Sequence, residues 1–155
     1  MNATRLKNAG RRVLVLVAAL AVLGLPAASA QAVTVKALGI IGKNDNSGID
    51  KRIPASLVEY LKRNFKYNSY ALGGQDSGTA AVGQTISLSL AGGYSLKVKP
   101  TAVQGDKVDL DLSLEKGGES ILRNAVSLRK NVYWVWTGGP PVDGGDLIVA
   151  LAVSD

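Results

Sequence analysis

The sequence predicts a mainly β chain of the α+β class: an antiparallel β-meander, sandwich-like or curled into a partly open barrel, with one amphipathic helix packed on a sheet face. Three observations predict it. From Ser69 onward, apolar and polar residues alternate with period two. Glycine-rich breaks cut that alternation at the short intervals hairpins need. One stretch, Lys51 to Phe65, has helical spacing instead.

The first element is an address. Arg5, Lys7, Arg11 and Arg12 precede an uninterrupted apolar run of 13 residues, Val13 to Leu25. Pro26 and the small residues Ala28-Ser29-Ala30 follow. This is the layout of a secretory signal peptide, residues 1–30, cleaved after Ala30. A retained membrane anchor would need about 20 apolar residues. No Cys lies near the cleavage site, which excludes lipoprotein processing. The sequence therefore predicts a cleaved leader and a single β-rich domain over residues 31–155, with no stable membrane span after cleavage.

Cleavage changes the charge argument. Four of the 18 basic residues lie in the leader and all 12 acidic ones lie after it, so 14 basic and 12 acidic residues remain, a net of +2. The basic character of the whole chain belongs mostly to the leader, and no nucleic-acid partner is expected. Lys62, Arg63 and Lys66 read as a solvated helix face, and Arg129-Lys130 as a strand end. The chain has no His and no Cys. Imidazole base catalysis, His or thiolate metal sites and disulfides are excluded. Carboxylate, Ser and Lys chemistry are not. Export without Cys suits a bacterial envelope, periplasmic or secreted.

Val33 to Ile41 is the first strand, with Val33, Val35 and Ala37 on one parity. Gly42 to Gly48 is a polar loop. Asn44, Asp45, Asn46 and Asp50 supply oxygens there, but the calcium-loop template lacks its downstream Glu, so an ordinary loop is expected and no metal. In the helix, Ile53, Leu57, Tyr60, Leu61 and Phe65 form the apolar face, Asp50 is the expected N-cap, and Glu59–Arg63 is an i,i+4 pair. Tyr60, Phe65, Tyr67 and Tyr70 form an aromatic cluster expected to pack helix against sheet.

About six strands should follow. Ile86-Leu88-Leu90, Tyr94-Leu96-Val98, Val108-Leu110-Leu112-Leu114 and Val126-Leu128 each alternate with polar neighbours, as half-buried antiparallel strands do. If Gln104-Gly105-Asp106 is a three-residue loop, Val103 faces Lys107, Thr101 faces Asp109, Lys99 faces Asp111 and Val98 faces Leu112. Asp109 and Asp111 would share a strand face. They are a candidate carboxylate pair, with Lys97, Lys99 and Lys107 near enough to make them a solvated charge ladder instead.

The last two strands differ. Val132 to Trp136 and Leu147 to Val153 are apolar on both parities, so they are covered on both faces or lie along a partner. The loop Thr137 to Asp146 is glycine-rich, but no helix or Lys-Ser/Thr pair follows it, which disfavours a phosphate cradle. Trp134 and Trp136 share one parity. With Tyr133 they are the candidate contact residues, for a protein partner or a glycan. Burial under the helix is the alternative.

The stretch Asn124 to Ala152, NAVSLRKNVYWVWTGGPPVDGGDLIVALA, and the element Gly92 to Pro100, GGYSLKVKP, resemble a family of small exported bacterial proteins that have no assigned activity and share a strand–helix–β-meander layout. The closing strands are also loosely similar to the secretin C-terminal region, although Lys130-Asn131-Val132-Tyr133-Trp134 stands where secretins carry Gly-Gly-Thr-Val. The resemblance implies an envelope location. It implies no pore activity and assigns no residue a role. Three functions remain: a non-enzymatic interaction or structural module with an envelope protein as partner, a carbohydrate-binding module using Tyr133, Trp134 and Trp136, and a carboxylate hydrolase using Asp109 or Asp111, or a Ser with a Lys base. No cofactor is expected.

Overall fold

The computed structural model describes residues 31–155; the expected leader lies outside the described residues. The chain folds as three layers: a helix, a five-stranded sheet and a four-stranded sheet. The strands are β1 (Ala32–Lys43), β2 (Ser69–Ala81), β3 (Ile86–Ser89), β4 (Tyr94–Gln104), β5 (Lys107–Lys116), β6 (Glu119–Arg129), β7 (Trp134–Trp136), β8 (Pro141–Val142) and β9 (Gly145–Ser154), with α1 (Ala55–Asn64) between β1 and β2. The first sheet has the order β2-β1-β9-β7, with β8 paired to β9. The second is a true meander, β3-β4-β5-β6. Every ladder between these strands is antiparallel.

The expected sandwich is present, and its inner layer follows from parity. Val33, Val35, Ala37 and Ile41 of β1 and Leu147, Val149, Leu151 and Val153 of β9 face Leu96, Val98, Val108, Leu110, Leu112 and Leu114 of the second sheet. The other parity of the same two strands, Leu38, Ile40, Ile148 and Ala150, faces α1 through Ile53, Leu57 and Leu61. A sheet with both faces covered needs strands apolar on both parities, as β9 is. Burial of these side chains supplies most of the driving force, about 25 cal/mol per Å² removed from water.

Five local expectations are corrected. The helix begins at Ala55, not Lys51, because a residue before proline is pushed out of the α region and Ile53 precedes Pro54. Pro54 is the N-cap position and its carbonyl accepts from the amides of Leu57 and Val58 at 3.0 Å each. Asp50 is therefore not the cap. Tyr60 is 40% exposed and not part of the buried face, which Ile53, Leu57 and Leu61 form. The β4–β5 turn has two central residues, not three: Gln104 pairs with Lys107, and Gly105 takes φ +62°. The expected facing of Lys99 with Asp111 and Val98 with Leu112 is found. Thr101 does not face Asp109. Pro100 cannot donate to the ladder, the strand bulges after it, and Ala102 takes that place while the Thr101 hydroxyl donates to the Asp109 carbonyl at 3.2 Å.

The remaining hairpins follow their turn chemistry. Lys116 pairs with Glu119 across Gly117-Gly118, both at positive φ. Val142 pairs with Gly145 across Asp143-Gly144, also both at positive φ. Two successive left-handed residues match the twist of antiparallel strands.

Candidate functional site

The two sheets are stacked so that β2 meets β3 on one side and β9 approaches β6 on the other. On that second side the edges are unequal. The upper sheet ends in β7, three residues long, and the lower ends in β6, eleven residues long. Among the described residues, β6 pairs with β5 alone. Of its residues only Leu128 is buried. Leu122, Val126 and Leu128 point inward against the core, and Arg123, Ala125 and Ser127 point outward beside Ser113, Asp111 and Asp109. A long strand with one hydrogen-bonded neighbour leaves every second amide and carbonyl open along its outer edge.

The three contact residues read from the sequence are not brought together. Trp134 and Trp136 pair with Leu151 and Val149, so they face the sandwich interior. Tyr133 and Val135 take the opposite parity and pack on the helix side. The tryptophans are thus not under α1; one β-strand period puts them on the other face of the sheet. Both remain half-buried, because β7 is too short to close the side of the sandwich. Their ring centroids are 5.9 Å apart and their planes are tilted by 48°. They sit on the same side of the molecule as the β6 edge.

Asp109 and Asp111 lie on the outer face of the lower sheet, Asp111 exposed and Asp109 half-buried. A wide, open depression of about 700 Å³ crosses this face. Its charged lining is Lys97, Lys99, Asp111, Glu115 and Arg123, so the carboxylate that joins Asp111 there is Glu115, not Asp109. Lys97 meets Glu115 at 3.1 Å, diagonally across the β4–β5 ladder. Sequence reasoning placed the lysines near the acids but missed Glu115 and Arg123; the hairpin register was the signal that carries both. The basic pair at the end of β6 is neutralised locally, Arg129 by Asp106 at 3.2 Å and Lys130 by Asp155.

The polar loop after β1 is held by its own oxygens. Asp45 accepts from the Ser47 hydroxyl at 2.6 Å and the Ser47 amide at 3.0 Å, which hold its carboxyl down at about 2. Asn44 and Asn46 are tied to Asn68. Asp50 accepts from the Arg52 guanidinium at 2.6 and 3.0 Å, the Arg52 amide at 3.0 Å and the Leu72 amide at 3.2 Å. These donors, the guanidinium first, hold its carboxyl well below the usual range. Among the described residues, no three Asp or Glu side chains converge as a metal site would require, and no helix is long and apolar enough to cross a membrane.

Three of the four clustered aromatics do meet. Phe65 stacks on Tyr67, Tyr67 meets Tyr70 edge-on, and the buried Tyr70 hydroxyl donates to the Leu61 carbonyl at 3.1 Å. The Tyr67 hydroxyl donates to Asp146 at the start of β9, and this bond, with burial, pushes Tyr67 up to about 12. This tyrosine ties the segment after the helix to the β8–β9 hairpin, a link with no sequence signal because the partners are 79 residues apart.

No family model, curated protein or solved structure matches this chain.

Proposed function

We propose that the protein is a non-enzymatic exported interaction module of the bacterial cell envelope, and that it engages a protein partner by strand addition along β6. The observation that carries this reading is the β6 edge: eleven residues with, among the described residues, one neighbouring strand and an outer row of unpaired backbone groups. Such an edge is a template for another strand, with backbone bonds giving affinity and alternate side chains giving selectivity. The half-buried tryptophans beside it add apolar area where the partner would lie. The leader-like residues 1–30 and the resemblance to small exported proteins support the envelope address.

The glycan reading rests on the same tryptophans and has weaker support. A sugar platform wants aromatic faces presented together, whereas these rings are tilted and Tyr133 is across the sheet. The hydrolase reading rests on Asp111 and Glu115 in an open depression with three basic neighbours, a setting that pairs charges and does not exclude water.

The test is site-specific photo-crosslinking in intact cells. A photoreactive residue replacing Arg123 on β6 should give a discrete protein adduct, and one replacing Lys36, exposed on β1, should not. No adduct from position 123, or the same adducts from both positions, contradicts the proposal.

A further inference from the structure

The β6 edge is also self-complementary, and this carries a statement about its occupant. We infer that the strand added to β6 is β6 of a second copy of this chain, antiparallel about a two-fold axis at Asn124, joining two four-stranded sheets into one continuous sheet. The inference rests on the reading of β6 as the interaction edge.

In an antiparallel pair, residues directly opposite share a sheet face. Pairing about Asn124 sets Leu122 against Val126 of the second copy, both inward-facing and half-buried. Arg123 then lies opposite Ala125 on the outer face, and Ser127 opposite the bulge residue Ile121. Asn124 itself meets its counterpart. It lies at an inward-facing position, opposite Leu112 on β5, yet is exposed, because β7 is too short to cover it. A primary amide is both donor and acceptor, so two of them on a two-fold axis satisfy each other and fix the register.

Neighbouring registers are worse. Shifting the axis to Arg123 puts two guanidinium groups face to face. Shifting it to Ala125 sets Asn124 against Val126 and leaves the amide without a polar partner. At the ends of the paired segment, beyond the Ile121 bulge, Glu119 of each copy comes near the Arg129 end of the other, so unlike charges meet. The strand also lacks the usual guards of an edge. It has no proline and no inward-pointing charge between Ser120 and Leu128, and its one bulge lies near an end. Pairing two copies about a two-fold axis uses up both edges and closes the assembly.

The chain has no Cys, so one substitution reads the register. In the purified protein, Asn124→Cys should give a disulfide-linked dimer under mild oxidation, since directly opposite Cα atoms lie within disulfide reach. Ser87→Cys, on the opposite edge strand β3, should link at least about tenfold more slowly. Sedimentation should show a wild-type dimer. Asn124→Asp and Asn124→Lys should each weaken self-association by about tenfold or more, and mixing the two should restore it through unlike charges. A wild-type far-ultraviolet circular dichroism spectrum and a cooperative melt show that the singles still fold, with the midpoint lowered only by the lost association. The inference is overturned by a wild-type protein that stays monomeric, by a dimer that Asn124→Asp leaves intact, or by equal linking rates at positions 124 and 87. A monomer in solution together with a different protein captured from position 123 in cells overturns the second copy alone and leaves the interaction-module reading standing.

Discussion

Asp50 shows how much one side chain can organise. Its carboxylate closes the turn before α1 through Arg52 and reaches the amide of Leu72 on β2, so the loop, the helix start and the sheet share one acceptor. Asp50→Ala should cost about 2 kcal/mol in denaturant unfolding at neutral pH, because charge-assisted bonds and a part-buried amide are lost together. Its folded pKa lies below the unfolded value of about 3.9, so the contribution is present above that pH and fades as the pH falls below it. The difference between wild type and Asp50→Asn should therefore shrink in acid, and a difference that grows in acid would contradict the assignment. Tyr67 behaves in the opposite sense. Its folded value of about 12 exceeds an unfolded value of about 10, so its bond to Asp146 contributes fully below pH 10 and is lost as the pH rises through 12. Tyr67→Phe should lose about 1 kcal/mol at pH 7. In an ultraviolet pH titration of the wild type, one tyrosine that ionises near 12 should be missing from the variant.

At the scale of elements, α1 and the strand ends separate what pattern decides from what contact decides. Leu57 and Leu61 are buried against Leu38, Ile40 and Tyr70, and truncating either to Ala should cost about 2–5 kcal/mol. Tyr60, which shares their spacing, should lose under about 0.5 kcal/mol on truncation because it lies in water. Parallel thermal melts of the three variants check the contrast. Helical period identified the right stripe but not where it ends, since exposure depends on how wide a sheet lies beneath. Gly139 marks a different limit. A Cβ there would fall 1.8 Å from the Leu147 carbonyl oxygen, so Gly139→Ala must push the β7–β8 connection off β9. It should destabilise by about 1–3 kcal/mol, and unchanged unfolding would show that the close approach is not maintained. The sequence marked that loop as glycine-rich, but nothing local says which glycine touches a backbone.

For the whole molecule, the legible part was the alternation. Strands β3 to β6 follow it, and their hairpins place Lys99 opposite Asp111 as charge matching required. What the pattern could not carry is the long-range order of the first sheet, where β9 returns to lie between β1 and β7. The double-sided apolarity of Leu147 to Val153 pointed to a covered strand without naming its neighbours. The candidate site was half legible. Trp134 and Trp136 stood out as large aromatics, and their shared parity was readable. Strand alternation alone turns them away from Tyr133; that they also face away from α1 follows only from pairing with β9. The β6 edge left a fainter mark: Asn124 interrupts the inward row of Leu122, Val126 and Leu128, as a polar residue can where no second layer covers it.

The central claim is that the outer backbone groups of β6 are occupied by another strand where the protein works. Amide hydrogen exchange reads those groups directly. The chain labelled inside intact cells should show slower exchange over residues 119–129 than the same chain purified and diluted until it sediments as a monomer, with residues 86–89 of β3 unchanged. Equal exchange over β6 in the two settings would contradict the account.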